Sequence, residues 1–137
     1  MTGRTGDLTP RQAWQLLVSD GSAVLVDVRT DAEWVFVGLP DLSSLGRRVV
    51  ALEWTSFPSG AHNQRFLAEL EGVAPRDAAV LFTCRSGHRS LAAADAAARA
   101  GWLRTYNVLD GFEGDLGADG HRGARGWRAE GLPWRQS

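Results

Sequence analysis

The sequence contains no lysine and only one cysteine, Cys84, among its 137 residues. All fifteen basic residues are arginine, which we interpret mainly as a compositional bias of the source genome. A single cysteine excludes an internal disulfide and a multi-cysteine metal site. It also excludes an internal resolving thiol, so whatever forms on Cys84 must be removed by a small molecule or by another protein. Any sulfur chemistry of this chain therefore centres on one residue.

The sequence also lacks a strong net charge and a long apolar run. Its formal charge of -1 argues against bulk electrostatic binding to nucleic acid or to a membrane surface. No stretch approaches the roughly 20 apolar residues of a membrane span, and the first residues lack the apolar segment of a signal peptide. We therefore expect a cytoplasmic protein that binds neither nucleic acid nor membrane. The length and an apolar fraction of 44% fit one globular domain over residues 1–137.

A short polar loop around Cys84 is the most informative part of the sequence. Val80–Phe82, an apolar run rich in strand-forming residues, predicts a buried strand before the loop. The alanine-rich run over 91–101 predicts a helix after it, with Ser90 near the N-cap and Gly101 near the end. The loop itself is Cys84-Arg85-Ser86-Gly87-His88-Arg89-Ser90.

The position of Cys84 before a helix has a chemical consequence. A helix N-terminus presents unpaired backbone N–H groups and a partial positive charge, so it holds anions. A cysteine that faces such a terminus, with Arg85 and Arg89 nearby, should ionise more readily than a free thiol. Because the thiolate is the reactive form, the loop predicts an activated nucleophile in an anion-binding site. A buried, inert cysteine is the alternative, and the polar, doubly basic loop argues against it.

Capping motifs and apolar patterns predict the other elements. A helix should begin at Thr9-Pro10-Arg11-Gln12 and end at Asp20-Gly21. A capping box at Thr30-Asp31-Ala32-Glu33 should open a second, short helix. The remaining predictions are strands at Ala23–Val26, Val49–Trp54 and Thr105–Leu109, a helix over Gly60–Gly72 with Phe66, Leu67 and Leu70 on one face, a loop at Val37–Gly46, and a loose or partly strand-like Met1–Leu8.

Strands that alternate with helices at this spacing predict an α/β fold with a parallel sheet covered on both faces. In such sheets ligands bind beyond the carboxyl ends of the strands, and Cys84 follows such an end. Near the C-terminus glycine recurs every third residue from Gly114 to Gly126. This run contains no proline, so it predicts an irregular surface loop rather than a collagen-like segment. The apolar residues of Trp127–Trp134 predict that the tail packs back onto the domain.

Four segments together resemble the motifs of rhodanese-type sulfurtransferases, in the order that this family has them. The segments are the Cys84–Ser90 loop, Leu25–Arg29 followed by Glu33-Trp34, Val108–Phe112, and Gly126-Trp127 with Gly131–Pro133. The resemblance extends over nearly the whole chain, from Leu8 onward. It implies a rhodanese-like three-layer fold, with a central, mainly parallel sheet of about five strands and helices on both faces. Two departures are Val37–Asp41, where many members have His-Ile-Pro-Gly-Ala, and Phe112, where a second glycine is common.

The resemblance implies that Cys84 attacks the outer sulfur of a small anionic donor such as thiosulfate and holds that sulfur as a persulfide. Cyanide, a thiol or another protein's cysteine would then accept it, and the reaction requires no metal or organic cofactor. Backbone N–H groups of the loop would hold the persulfide, and Gly87 would let the backbone curl around the sulfur. The implied substrate-binding residues are Arg85, Ser86, Gly87, His88, Arg89 and Ser90.

Several roles stay open at this level. Arg85 is favoured for contact with the donor, whereas Arg89 is favoured as a brace of the loop; His88 either is simply exposed or tunes the donor site. Asp27 and Arg29 are expected to support the site through hydrogen bonds or an ion pair, with Glu33 a plausible partner of Arg29.

Two other functions compete with small-molecule sulfur transfer. One is a sulfur relay or interaction module with a dedicated protein partner and little activity on thiosulfate. The other is a cysteine-dependent phosphatase or arsenate reductase, but the loop between Cys84 and Arg89 is one residue shorter than those families usually have.

Overall fold

Five parallel strands form the central sheet of the computed structural model, which describes residues 3–136. The strands in chain order are β1 (Gly6–Leu8), β2 (Val24–Asp27), β3 (Leu39–Pro40), β4 (Val50–Ala51), β5 (Ala79–Thr83), β6 (Arg104–Val108) and β7 (Trp134–Arg135). The α-helices are α1 (Pro10–Ser19), α2 (Asp31–Phe36), α3 (Phe66–Glu71) and α4 (His88–Arg99), with a 3-10 turn at Ser43–Leu45. The main sheet has the order β1-β6-β5-β2-β4, and β3 and β7 form a separate antiparallel ribbon. The α/β fold with about five parallel strands is therefore confirmed.

The two faces of the sheet are buried under different helices. Along β5, Leu81 packs with α1 in one apolar cluster, whereas Phe82 packs with α3 and α4 in the other. This alternation follows from the period of two in a strand, and it makes every residue of β5 buried. The three-layer arrangement places β5, and with it Cys84, at the centre of the sheet.

Local capping signals correctly predicted the first two helices. The Thr9 side chain accepts a hydrogen bond from the Gln12 N–H, and the Gln12 side-chain oxygen accepts one from the Thr9 N–H, so α1 begins with a complete capping box. Thr30 and Glu33 form the same reciprocal pair at the start of α2. Asp20 ends α1, as the sequence predicts.

The N-cap of α4 lies three residues before Ser90, near which the sequence predicted it. The helix begins at His88, with Gly87 as its N-cap at a φ of +110°, and Ser90 lies inside the first turn. No side chain caps this end. Instead the backbone N–H groups of Gly87 and Ser90 donate to the sulfur of Cys84, three and six residues earlier, and this side chain takes the place of one from the N-cap residue.

Two other boundaries also differ from the predictions. The predicted helix over Gly60–Gly72 is limited to α3, because Asn63 hydrogen-bonds to the Glu53 and Trp54 carbonyls and holds the preceding chain in a hairpin-like turn. Leu67 of this helix is exposed rather than on the buried face. The predicted strand Val49–Trp54 is limited to β4, which lies at the edge of the sheet and pairs only with the end of β2.

The termini complete the fold in ways that the sequence predicted only in part. Gly6–Leu8 is a strand, consistent with the partly strand-like segment predicted there, while Met1 and Thr2 lie outside the described residues. The segment 114–126 has no helix or strand, as predicted. Trp127 is fully buried and donates its indole N–H to the Pro133 carbonyl, so the tail does pack back. No helix within residues 3–136 has the length and apolar character needed to span a bilayer.

Candidate active site

Cys84 lies directly after β5, at the carboxyl edge of the sheet, and only 1% of the residue is exposed. The chain then turns through Arg85, Ser86 and Gly87 before α4 begins. We call residues 84–90 the Cys84 loop. The loop wraps around its own sulfur because Gly87 adopts a positive φ, which an L-residue rarely does.

Three groups of the Cys84 loop contact the sulfur. The Gly87 N–H donates to Cys84 Sγ at 3.1 Å and the Ser90 N–H donates to it at 3.4 Å. Ser90 Oγ lies 3.3 Å from the sulfur and donates its own proton to Asn107 Oδ1 at 2.6 Å. Two backbone donors at a helix N-terminus stabilise negative charge on the sulfur. The sulfur is therefore positioned in a site built for an anion.

A tight turn after β6, at residues 109–113, supports the Cys84 loop through backbone hydrogen bonds. The Phe112 N–H donates to the Cys84 carbonyl at 2.8 Å, and the Glu113 N–H donates to the Arg85 carbonyl at 2.9 Å. Gly111 lies against these carbonyls so closely that a Cβ on it would be 2.3 Å from Cys84 O. Only glycine fits at this position, because the clash would be with backbone that cannot rotate away.

Arg89 and Glu33 join the loop to α2. Arg89 Nη1 and Nη2 donate to the two carboxylate oxygens of Glu33 at 2.7 and 3.0 Å. Burial alone would raise the pKa of Glu33, but the hydrogen bonds and charge of Arg89 outweigh it and hold that pKa below its usual value. Likewise burial acts to lower the pKa of Arg89, and Glu33 more than offsets it, so the net shift is upward. Arg89 thus braces the loop and is not free to contact a donor.

Asp27 and Arg29 form a fully buried ion pair beside the site. Arg29 Nη2 donates to Asp27 Oδ2 at 2.7 Å and to the Gly38 carbonyl at 2.6 Å, and its guanidinium lies 4.4 Å from the centre of the Phe112 ring. Asp27 is in register with Thr83, the residue before Cys84. Asp27 and Arg29 thus form the expected ion pair, but the predicted partnership of Arg29 with Glu33 was wrong: Glu33 pairs with Arg89.

Arg85 and His88 occupy the outer side of the loop. Arg85 is exposed, and within the part of the chain that the structure describes its side chain makes no ion pair or hydrogen bond. The His88 side chain is 81% exposed, with Nε2 3.6 Å from Asp115 Oδ1. Ser86, between them, is half-buried. The structure therefore brings all seven predicted loop residues together, and the side chains of Arg85 and His88 face solvent.

Sequence reasoning missed Asn107 and Asp115. Asn107 is buried in β6 and its amide oxygen fixes the hydroxyl of Ser90. A signal was available, since a polar residue within the apolar run Tyr106–Leu109 needs a buried partner. Asp115 gave no such signal, because only the folded glycine-rich segment places it beside His88.

A separate cleft does not belong to this site. It has a volume of about 480 Å³, and its walls include Asp41, Arg47, Arg48 and Arg135. None of the residues that line it belongs to the Cys84 loop. Arg47 instead donates to the Leu17 carbonyl of α1 and to the carbonyls of Asp20 and Ala23 between α1 and β2.

Comparison with solved structures agrees with this architecture. The crystal structure of Rv0390 from Mycobacterium tuberculosis is 61% identical, covers 98% of this chain and 99% of its own, and superposes with a TM-score of 0.91. The polysulfide-sulfur transferase homodimer from Wolinella succinogenes is 21% identical over 98% of this chain and 80% of its own, with a TM-score of 0.65. At that identity the second likeness concerns the fold alone.

Curated relatives extend the comparison to sequences. The uncharacterised protein RP600 of Rickettsia prowazekii is 35% identical over 90% of this chain and 92% of its own length. Rhodanese-like domain-containing protein 11 of Arabidopsis thaliana is 29% identical over 81% of this chain, which corresponds to 44% of that protein.

The rhodanese-like domain from Anabaena superposes over the whole of this chain with a TM-score of 0.61, and the fold of this chain is rhodanese-like. The family model described as the STR4 middle domain matches residues 6–137. The chain belongs to the family that this model describes.

Proposed function

We propose that the protein is a rhodanese-type sulfurtransferase, which moves sulfane sulfur from thiosulfate or another persulfide donor to a nucleophilic acceptor through a persulfide on Cys84. The observation that carries the proposal is the pair of backbone N–H donors from Gly87 and Ser90 on the Cys84 sulfur. The proposal further places this reaction in the cytoplasm, without a nucleic acid or membrane partner.

The loading step uses the anionic form of the cysteine. The Cys84 thiolate attacks the outer sulfur of thiosulfate, so a new S–S bond forms and the original S–S bond breaks. The electron pair of that bond leaves with sulfite, and the outer sulfur stays on Cys84 as a persulfide. Arg85 is the side chain that would attract the dianionic donor, because it is exposed and makes no ion pair among the described residues.

The unloading step returns the cysteine to its starting form. Cyanide or a thiolate attacks the outer sulfur, the bond between the two sulfur atoms breaks, and its electron pair restores the Cys84 thiolate. The two N–H donors that hold the thiolate are also suited to the persulfide anion, whose charge lies one atom further into the loop. The loop would therefore stabilise both the nucleophile and the intermediate.

The fixed position of Arg89 argues against a phosphatase or arsenate reductase. Those enzymes need an arginine that binds the tetrahedral oxyanion, whereas both terminal nitrogens of Arg89 are bound by the Glu33 carboxylate. A loop that directs its N–H groups to a single sulfur atom fits a persulfide better than a phosphate.

The deciding experiment is the intact mass of the protein after thiosulfate treatment, followed by cyanide. We expect wild type to gain the mass of one sulfur atom and to lose it to cyanide with release of thiocyanate. Cys84→Ser should gain nothing. If wild type gains no sulfur from thiosulfate but gains it from a persulfidated protein, the relay function replaces the small-molecule one. If neither donor loads Cys84, sulfur transfer is refuted, and hydrolysis of p-nitrophenyl phosphate would then test the phosphatase.

A further inference from the structure

The hydroxyl of Ser90 has two neighbours that compete for its proton. Its Oγ lies 3.3 Å from Cys84 Sγ and 2.6 Å from the amide oxygen of Asn107. A hydroxyl carries a single proton and two lone pairs, so it can donate to only one of these neighbours at a time. The contact with Asn107 is at the short end of the range for an O–H···O hydrogen bond, so the proton lies on that side. A lone pair of Ser90 Oγ therefore faces the sulfur.

The fold keeps these three side chains in place. Cys84, Ser90 and Asn107 are each no more than 2% exposed, so bulk water does not compete for the hydroxyl. Asn107 lies in β6, in register with Phe82 of β5, two residues before Cys84. Ser90 lies in the first turn of α4. The chain of contacts from amide to hydroxyl to sulfur thus joins three different elements, and none of its members can turn toward solvent.

The direction of the hydroxyl matters because the charge on Cys84 Sγ changes during sulfur transfer. In the persulfide the negative charge lies on the outer sulfur, and Sγ is a neutral, divalent atom. When the outer sulfur leaves, the charge returns to Sγ. A proton directed at Sγ would stabilise this returning charge, whereas a lone pair directed at it does not. Only the N–H groups of Gly87 and Ser90 then donate to Sγ among the described residues.

We propose that Asn107 is a positioning residue that retains sulfur on Cys84. By accepting the Ser90 proton, Asn107 keeps that proton away from Sγ and makes Cys84 a poorer leaving group when a nucleophile attacks the outer sulfur. This inference rests on the proposed sulfur transfer and concerns the control of its unloading step. The consequence is a longer lifetime of the loaded protein in the presence of small nucleophiles.

The step that Asn107 slows is the loss of the outer sulfur. With cyanide, the carbon attacks that sulfur with its own electron pair and a C–S bond forms. The S–S bond breaks, and its electron pair goes to Cys84 Sγ. The products are thiocyanate and the Cys84 thiolate, so the step requires no oxidant or reductant.

The test is the rate at which cyanide removes sulfur from the loaded protein in single turnovers. The protein is loaded with thiosulfate, freed of it, and checked by intact mass before cyanide is added. Asn107→Leu leaves the Ser90 proton free to turn to Sγ. Unloading should then be roughly tenfold faster than in wild type, as expected for one hydrogen bond to a charged atom.

Ser90→Ala gives a test of sign that does not depend on the folding of Asn107→Leu. It removes the lone pair and the proton together, so its unloading rate should lie between those of wild type and Asn107→Leu. If the wild-type hydroxyl instead donated to the sulfur, Ser90→Ala would unload more slowly than wild type. That result would overturn the proposal.

Two controls separate this effect from repacking of the core. Thr105 lies two residues before Asn107 in β6, is buried, and has a hydroxyl without a partner among the described residues. Thr105→Val makes a similar polar-to-apolar change in the same strand and should unload at the wild-type rate. In the double variant, Asn107→Leu should add nothing to the rate of Ser90→Ala. An effect of Asn107→Leu that persists without the Ser90 hydroxyl would contradict its action through Ser90.

Infrared spectroscopy reports the direction of the hydroxyl itself. Cys84 is the only cysteine of the chain, so the S–H stretching band of the protonated thiol belongs to this residue alone. In wild type we expect this S–H to donate to Ser90 Oγ. In Asn107→Leu Ser90 becomes the donor, so the band should move to higher frequency, the direction expected when S–H loses its acceptor. An unchanged band would overturn the inference.

The loading check distinguishes this inference from the proposed function. If wild type gains no sulfur from any donor, the proposed sulfur transfer fails, and the retention of sulfur fails with it. If wild type loads sulfur but Asn107→Leu unloads no faster, the role of Asn107 is refuted alone.

Discussion

Gly111→Ala should distort the Cys84 loop more than an alanine substitution at any other glycine near the loop. A Cβ at this position would be 2.3 Å from Cys84 O and 2.7 Å from Arg85 C. Ordinary van der Waals contact begins near 3.4 Å, so the loop must move by about 1 Å. Both clashing atoms belong to the backbone, so no side-chain rotation can relieve them.

The cost of Gly111→Ala has two parts. Gly111 has a φ of +55°, and an L-residue in the left-handed region costs about 1–2 kcal/mol. A shift of the loop also breaks the hydrogen bonds from Phe112 N–H to Cys84 O and from Glu113 N–H to Arg85 O, each of which contributes about 0.5–1.5 kcal/mol. We expect a total loss of about 2–5 kcal/mol in unfolding free energy. A misplacement of this size should slow sulfur loading about 100-fold.

Gly120→Ala is the matched control. Gly120 also has a positive φ, +80°, but nothing lies within 4 Å of the Cβ that would be added. Urea unfolding should therefore show only the conformational part of the cost, about 1–2 kcal/mol, with loading at the wild-type rate. Equal destabilisation of the two variants, together with normal loading by Gly111→Ala, would refute the close packing of the turn against the loop.

Two further predictions concern the elements that hold the site. Glu33→Gln keeps the capping box but loses the ion pair with Arg89, so unfolding free energy at pH 7 should fall by about 1 kcal/mol. The pKa of Glu33 in the folded protein is below its usual 4.5. The difference in unfolding free energy between wild type and Glu33→Gln should therefore be complete above pH 4.5 and vanish as the pH falls through the folded pKa. A difference that grows in acid would contradict the ion pair. Trp127→Ala should lower the unfolding free energy measured in urea by about 3–5 kcal/mol, because Trp127 is fully buried. Trp134→Ala is the control, since Trp134 is 41% exposed. A loss for Trp127→Ala no larger than that for Trp134→Ala would contradict the packing of the tail.

The parts of the fold that depend on short-range signals were predictable from the sequence. Thr9 and Thr30 each carry their helix start within four residues, so the capping boxes could be recognised directly. The central strand β5 was recognisable because every one of its residues is buried and apolar or β-branched.

The parts that failed depend on residues distant in sequence. Ser90 was predicted near the N-cap of α4, but its N–H and hydroxyl are directed to Cys84 and Asn107 from inside the first turn. The β3–β7 ribbon was missed because Leu39 pairs with Arg135, nearly a hundred residues later, and neither segment has a strand pattern of its own. The Cys84 loop could be identified by composition, whereas the partner of Arg89 depended on the approach of α2, which carries Glu33, to α4.

The pairing of β1 with β6 has a consequence for how the protein is made. Gly6 is in register with Tyr106, so β1 has no partner in the sheet until β6 has been synthesised. The turn that supports Cys84 and the tryptophan that anchors the tail are made later still. Non-local pairing of this kind delays folding until its last segments are available. The site around Cys84 is therefore not yet formed in a nascent chain. Cys84 acquires its two N–H donors and the supporting turn after β6 only in the folded protein.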